Sequence, residues 1–284
     1  MATASPPLLS IKQIYWLLIL PAVALLLVFF IWPLAKVLFI SVTEPSLGLG
    51  NYERLFTSAS VQRVLMTTLR ICVITTVITM ILGYLVAYAM THVSGRHLRW
   101  MTFFVLLPFW ISVLVRAFSW VTLLRNNGLI NTALLDMGLI DQPLALVRNE
   151  FGVILGMVHY MTPFAVLPLY ANMRGIDNRL VAAARGLGAS PFSAFLRVFL
   201  PLSLPGIIGA GVLVFIFSLG FYVTPAILGG GKTLMVAEYI SLQITETLRW
   251  GLGSMLASTL LISVFAVLAL LAKFVNLRRL FGSA

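Results

Sequence analysis

Long stretches of this chain carry no charge, and that decides its solvent. Between Lys12 and Lys36 lie 23 uncharged residues, between Arg70 and His92 21, between Glu150 and Arg174 23, between Arg197 and Lys232 34, and between Arg249 and Lys273 23. A sixth stretch, Trp100 to Leu124, holds one charge, Arg116. About 20 apolar residues cover the roughly 30 Å of a bilayer core at about 1.5 Å per residue. In hydrocarbon every backbone N–H and C=O must be paired inside the segment, which a helix does alone. The expectation is an all-α integral membrane protein with six transmembrane helices. The 34-residue run exceeds one simple span. Pro201 and Pro205 near its start, and Pro225 with Gly229-Gly230-Gly231 near its end, place that span at about residues 206–228.

Lys and Arg set the orientation. With the N-terminus inside, the inner segments hold Lys12, Arg96, Arg99, Arg174, Arg179, Arg185, Arg197, Lys273, Arg278 and Arg279. The outer loops hold Arg54, Arg63, Arg125, Arg148, Lys232 and Arg249. Ten against six puts both termini and the loop 177–205 in the cytoplasm of a multi-pass protein. The outer loops, about 41–67, 125–150 and 229–250, are long enough to build a docking surface, and Asn126-Asn127-Gly128 is a turn signal.

Only 10% of residues are charged and 61% are hydrophobic, against about 25% charged in a soluble domain. The net charge of +11 is spread through span flanks without a basic stripe or an aromatic–basic motif, which argues against nucleic acid. One cysteine, Cys72, supports neither a disulfide framework nor a thiolate metal site. His92, His97 and His159 are unclustered, no metal site is expected, and no nucleophile–base pair suggests catalysis. Gly229-Gly230-Gly231-Lys232-Thr233 is not a phosphate-binding loop: Ala226 stands where the first glycine belongs, and no strand precedes it. It reads as a flexible turn or a hinge.

The loop 177–205 is the one long polar-flanked segment on the inner side. Asp177 or Asn178 can cap a short helix, and Gly186 or Gly188 can end it. Ser190-Pro191 reads as the start of a second helix, with Phe192, Phe195, Leu196 and Phe199 on one stripe lying against the membrane. The first helix is built of small residues, a shape that another protein can grip.

Ala182-Ala183-Ala184, three residues, Gly188, nine residues, then Val198, Leu200 and Pro201 resembles the EAA loop of binding-protein-dependent ABC importer permeases. The glutamate of that pattern is Ala182 here, and an acid common in the spermidine/putrescine branch is Gly186. Leu107-Pro108-Phe109-Trp110 through Val115-Arg116, and Phe221-Tyr222-Val223-Thr224-Pro225, also look like the polyamine branch. The resemblance implies a type I importer (MetI-like) permease fold with a cytoplasmic coupling helix. Residues 1–66 would form the N-terminal helix and first periplasmic loop, and 67–284 the permease domain. It implies ATPase coupling through Ala182, Ala183, Ala184, Gly188 and Pro201. It implies partners: cytoplasmic ATPase subunits that carry ATP and Mg²⁺, a second permease, expected to be a different chain, and a periplasmic solute-binding protein. This chain itself would hold no cofactor and would be no enzyme. The location would be a bacterial inner membrane and the substrate a polyamine or related amine. Other organic solutes, such as aminoalkylphosphonates or opines, form the alternative. An ion-coupled secondary transporter is the rival class; it calls for acids within spans, and none is present.

Within the spans, Trp110, Arg116, His159, Ser218, Phe221 and Tyr222 are the candidate pathway residues. Arg116 is costly in lipid, and intramembrane polar groups mark pathways or structural anchors. His159 reads first as a hydrogen-bonded interior histidine and second as a pathway residue. Ser218 and Tyr222, four apart, would share a helical face, with Phe221 beside them; aromatic faces attract cations.

Overall fold

The computed structural model describes residues 11–274; the chain ends, with Arg278 and Arg279, lie outside them. The helices in order are α1 (Ile11–Leu26), continued through a π turn (Leu27–Ile31) into α2 (Trp32–Thr43), then α3 (Gly50–Thr57), α4 (Ala59–Thr91), α5 (Gly95–Trp110), α6 (Val113–Leu124), α7 (Leu129–Asp136), α8 (Glu150–Arg174) and α9 (Asn178–Gly186). There follow α10 (Pro191–Ala194), a second π turn (Phe195–Phe199), α11 (Leu200–Leu219), α12 (Val223–Gly229), α13 (Val236–Thr245) and α14 (Trp250–Phe274). Among the described residues, five helical stretches are long and apolar enough to cross a membrane, and the bent pair starting with α5 makes a sixth. The boundary expected at residues 66 and 67 falls inside α4.

Two spans depart from expectation. The fifth runs from Pro191 to Leu219, not from 206 to 228. Its prolines do not stop it, because a π turn precedes Pro201: the Leu200 N–H bonds Phe195 O, five residues back. The first span has the same device, with the Trp32 N–H on Leu27 O just ahead of Pro33. A proline ring crowds the carbonyl four residues earlier, and a widened turn moves that carbonyl aside. Phe192, Phe195, Leu196 and Phe199 therefore form the first turns of the span rather than a helix lying on the bilayer. Phe195 and Phe199 meet Tyr88 of α4 edge-on, with ring centroids at 5.4 and 5.1 Å.

The third span is broken. α5 and the segment starting with α6 diverge by 98° at Ile111-Ser112. Pro108 lacks the N–H of an ordinary helical residue, and Ile111 and Ser112 have extended backbones, so the helix cannot continue.

α8 is the hub, touching α4, α5, α6, α11 and α12. Without a hydrophobic drive between helices in lipid, close backbone approach at small residues holds such contacts. A Cβ on Gly83 of α4 would stand 2.8 Å from the Ala165 Cβ of α8, and one on Gly206 of α11 2.7 Å from the Asn172 Cβ. Between them Met90, Met161, Leu169, Met173 and Val214 are buried. α2 packs on α14, while residues 15–32 turn every side chain outward.

The loops on the far side from α9 are knitted by buried asparagines. Asn131 Nδ2 donates to Arg125 O (3.2 Å) and Leu144 O (3.0 Å), and its Oδ1 accepts from the Leu144 N–H (2.8 Å). Asn51 Nδ2 donates to Ser41 O and Glu44 O at 3.1 and 2.6 Å. The Val236 N–H at the start of α13 donates to Thr68 Oγ1 of α4 at 2.8 Å. Asn126-Asn127-Gly128 forms the expected turn, closed by the Gly128 N–H on Arg125 O.

Overpacking a close helix contact costs about 1–3 kcal/mol. Gly83→Leu should therefore lower the thermal midpoint of the detergent-purified protein by several degrees. Gly209→Leu, where nothing lies within 4 Å of the added Cβ, should leave it nearly unchanged. Equal midpoints would show that the α4–α8 contact is not held by small-residue packing.

Candidate functional site

The sequence points to two places, the loop that holds α9 and the third span around Trp110 and Arg116. At the first, Asp177 caps α9, its Oδ1 accepting from the Arg179 N–H at 2.9 Å. The other end is closed by Gly188 at φ +92°, a left-handed conformation that glycine adopts without strain. The Gly188 N–H bonds Arg185 O (3.0 Å) and the Ala189 N–H bonds Ala184 O (3.1 Å). This reciprocal pair satisfies the last carbonyls of the helix. Ser190 then caps α10, accepting from the Ser193 N–H.

α9 is anchored by one side only: Val181 and Ile176 pack with Phe195 and Phe199 against the main core. Ala182, Ala183, Gly186 and Gly188 are exposed, and Leu187 is 90% exposed. Among the described residues, nothing beyond the chain neighbours and the helix's own backbone lies within 4 Å of a Cβ placed on Gly186 or Gly188. Pro201 lies away from this surface, exposed on α11.

The second place is the break in span three. The last carbonyls of α5 have no partner in their own helix. Arg116, one turn into α6, supplies one: its Nη2 donates to Pro108 O and to Ile111 O, the latter at 2.8 Å. A cation at a helix C-terminus also meets the negative end of the helix dipole. The guanidinium carbon lies 5.0 Å over the Tyr160 ring of α8. These contacts offset the cost of a charge in lipid, about 3 kcal/mol at mid-bilayer on insertion scales. Tyr160 in turn lies 4.5 Å from the Phe221 ring and is stacked on Phe164 at 5.7 Å. Phe164 also meets Phe109 and Phe217, each at 5.0 Å. A cleft of about 470 Å³ opens beside this group, lined by Phe109, Trp110, Ser112, Arg116 and Tyr160 among others.

Of the six candidate pathway residues, Arg116 and Phe221 converge on Tyr160, and Trp110 lies at the cleft, 85% exposed. His159 turns away: its Nδ1 accepts from Trp120 Nε1 at 3.0 Å, the structural role anticipated for an interior histidine. Ser218 and Tyr222 do not share a helical face, because α11 ends at Leu219 and Gly220 caps it. Ser218 is fully buried, while Tyr222 is 44% exposed. The sequence reading does not single out Tyr160, which joins the two breaks. The available signal is its spacing from Phe164, i and i+4 on a mid-membrane helix.

Comparison with known proteins agrees with this architecture. Residues 79–281 match the family described as binding-protein-dependent transport system inner membrane component. The spermidine/putrescine transport system permease protein PotB of Haemophilus influenzae is 37% identical over 204 residues, 72% of this chain and 71% of that one. The protein of the same name from Escherichia coli is 33% identical over 214 residues, 75% of this chain and 78% of its own. A chain from the bacterial alginate ABC transporter, solved in complex with an alginate pentasaccharide-bound periplasmic protein, has the same fold, with a TM-score of 0.76. It is 18% identical and covers 91% of this chain and 92% of its own. The chain belongs to the binding-protein-dependent transport system inner membrane components: it is a multi-pass inner-membrane permease subunit of an ABC importer.

Proposed function

We propose that this permease carries a polyamine, putrescine or spermidine, across the inner membrane, as part of the pathway it forms with a second, different permease. The observation that carries the substrate is the similarity to two spermidine/putrescine permeases along most of both chains. The loops between spans one and two, three and four, and five and six hold Glu44, Glu53, Asp136, Asp141, Glu150, Glu238 and Glu246, seven of the eight acids. The same loops hold Arg54, Arg63, Arg125, Arg148, Lys232 and Arg249, so the charges there nearly balance and the substrate reading rests on the similarity.

In this reading α9 faces the cytoplasm, together with both chain termini, and the asparagine-knitted loops face the periplasm. A loaded solute-binding protein docks on those loops; the alginate transporter of the same fold was solved in complex with a periplasmic protein. An ATPase subunit grips α9 at Ala182, Ala183, Ala184 and Gly188; ATP and Mg²⁺ bind there, not on this chain. Pro201 acts indirectly, by fixing the helical turn on which α9 rests. The inward and outward states are biased from both sides, by nucleotide below and loaded binding protein above.

In a strain lacking other polyamine importers, the complete system should restore ATP-dependent uptake of labelled putrescine or spermidine. Omitting this chain should abolish it. Uptake confined to amine-free solutes would overturn the substrate assignment.

Gly188→Trp forces a bulky residue into a left-handed position and fills the space open to a partner. Transport should drop to background while membrane abundance stays near wild type, with the ATPase either detached or hydrolysing without regard to the binding protein. Normal uptake by this variant in an intact assembly would remove α9 from the coupling role. Because Ala182 carries no charge, association of the ATPase should depend only weakly on salt.

A further inference from the structure

We propose that the ring of Tyr160, framed by Phe164 and Phe221, is the subsite where this chain holds a substrate ammonium group, and that Arg116 occupies it when substrate is absent. The inference rests on the amine-substrate reading above and assigns that substrate a place. Asp and Glu stand only at span ends, Asp136 closing the bent third span and Glu150 opening α8, so no carboxylate of this chain receives a cation at mid-membrane. Aromatic ring faces bind cations without a carboxylate, and their attraction grows when water is excluded. The Tyr160 group is the aromatic cluster that already holds a cation, with the Arg116 guanidinium at 5.0 Å.

Arg116 sits there incompletely satisfied. Only its Nη2 bonds the carbonyls of the α5 end, and its Nε is buried without an acceptor among the described residues. A buried unpaired donor weakens the resting arrangement. The cleft alongside, lined by Trp110, Ser112, Arg116 and Tyr160, gives a second cation a route to the ring.

The contact also ties two moving pieces together. Arg116 stands at the break in span three, and Phe221 stands at the break after α11. Tyr160 touches both. Two cations cannot share one ring without repulsion, so arrival of an ammonium group displaces Arg116 and frees the breaks from each other. An empty permease stays fastened by its own arginine, and a neutral solute has no means of releasing it.

The test uses the complete importer in proteoliposomes, with putrescine as the probe. Arg116→Gln retains an amide donor for the α5 carbonyls but loses the charge; Arg116→Lys retains the charge. Loss of the cation–ring contact should raise ATP hydrolysis without binding protein about tenfold in Arg116→Gln and at most about twofold in Arg116→Lys. Tyr160→Leu should raise it as Arg116→Gln does and lower putrescine uptake more than about tenfold, while Tyr160→Phe, which keeps a ring, should stay within about twofold of wild type in both. Equal hydrolysis by the Gln and Lys variants would reduce Arg116 to a helix cap and overturn the inference while leaving the substrate reading in place. Undiminished uptake by Tyr160→Leu would do the same. Failure of the wild-type assembly to carry putrescine or spermidine would overturn both together.

Discussion

A helix that stops inside a membrane leaves carbonyls that water cannot reach, and protein must satisfy them. Span three stops at Ile111-Ser112, and the guanidinium of Arg116 returns to the carbonyls of Pro108 and Ile111. This one set of hydrogen bonds makes the break tolerable, fixes the direction of α6, and sets a cation over Tyr160. The same residue that resolves a backbone problem thereby becomes the most chemically distinctive group inside the membrane. The second break, after Leu219, is milder: Gly220 caps the helix, and Phe221 turns onto the same tyrosine.

Between α9 and Phe221 runs a single helix. From Pro191 to Leu219 it comprises 29 residues, about 43 Å at 1.5 Å per residue. Its lower turns hold α9 through Phe195 and Phe199, and its upper end delivers Phe221 to Tyr160. The π turn before Pro201 keeps this rod continuous where a proline would otherwise kink it. A displacement imposed on α9 therefore has a rigid path to the broken spans, and packed helices with small-residue contacts can shift relative to one another without losing their backbone bonds. Coupling in such a system is a differential preference of two ligands for two arrangements of these elements.

Much of this was legible in the chain. Uncharged runs located six spans, because hydrocarbon leaves charge no place, and Glu150 and Arg174 bounded α8 where the structure ends it. The ends of α9 are legible to within two residues, Asp177 or Asn178 and Gly186 or Gly188, because capping is local chemistry; the structure takes Asp177 and Gly188. The fifth span starts earlier than its composition predicts, because Pro201 and Pro205 have the signature of breakers and a π turn that absorbs a proline leaves no compositional trace. The break in span three escaped because Pro108 occurs in helices as well as at their ends; only the tertiary return of Arg116 distinguishes the two. Ser218 and Tyr222 were assigned to one face on a helical spacing that the backbone abandons at Gly220.

Events at α9 reach Phe221 through the fifth span. The direct measurement is the thiol-labelling rate of Tyr222→Cys in the assembled importer, with and without nucleotide trapping; the native Cys72 is fully buried and contributes little background. The rate should change on trapping in the wild-type background and not change when Gly188→Trp is also present. A rate indifferent to nucleotide in the wild-type background, in an assembly that transports, would contradict the account.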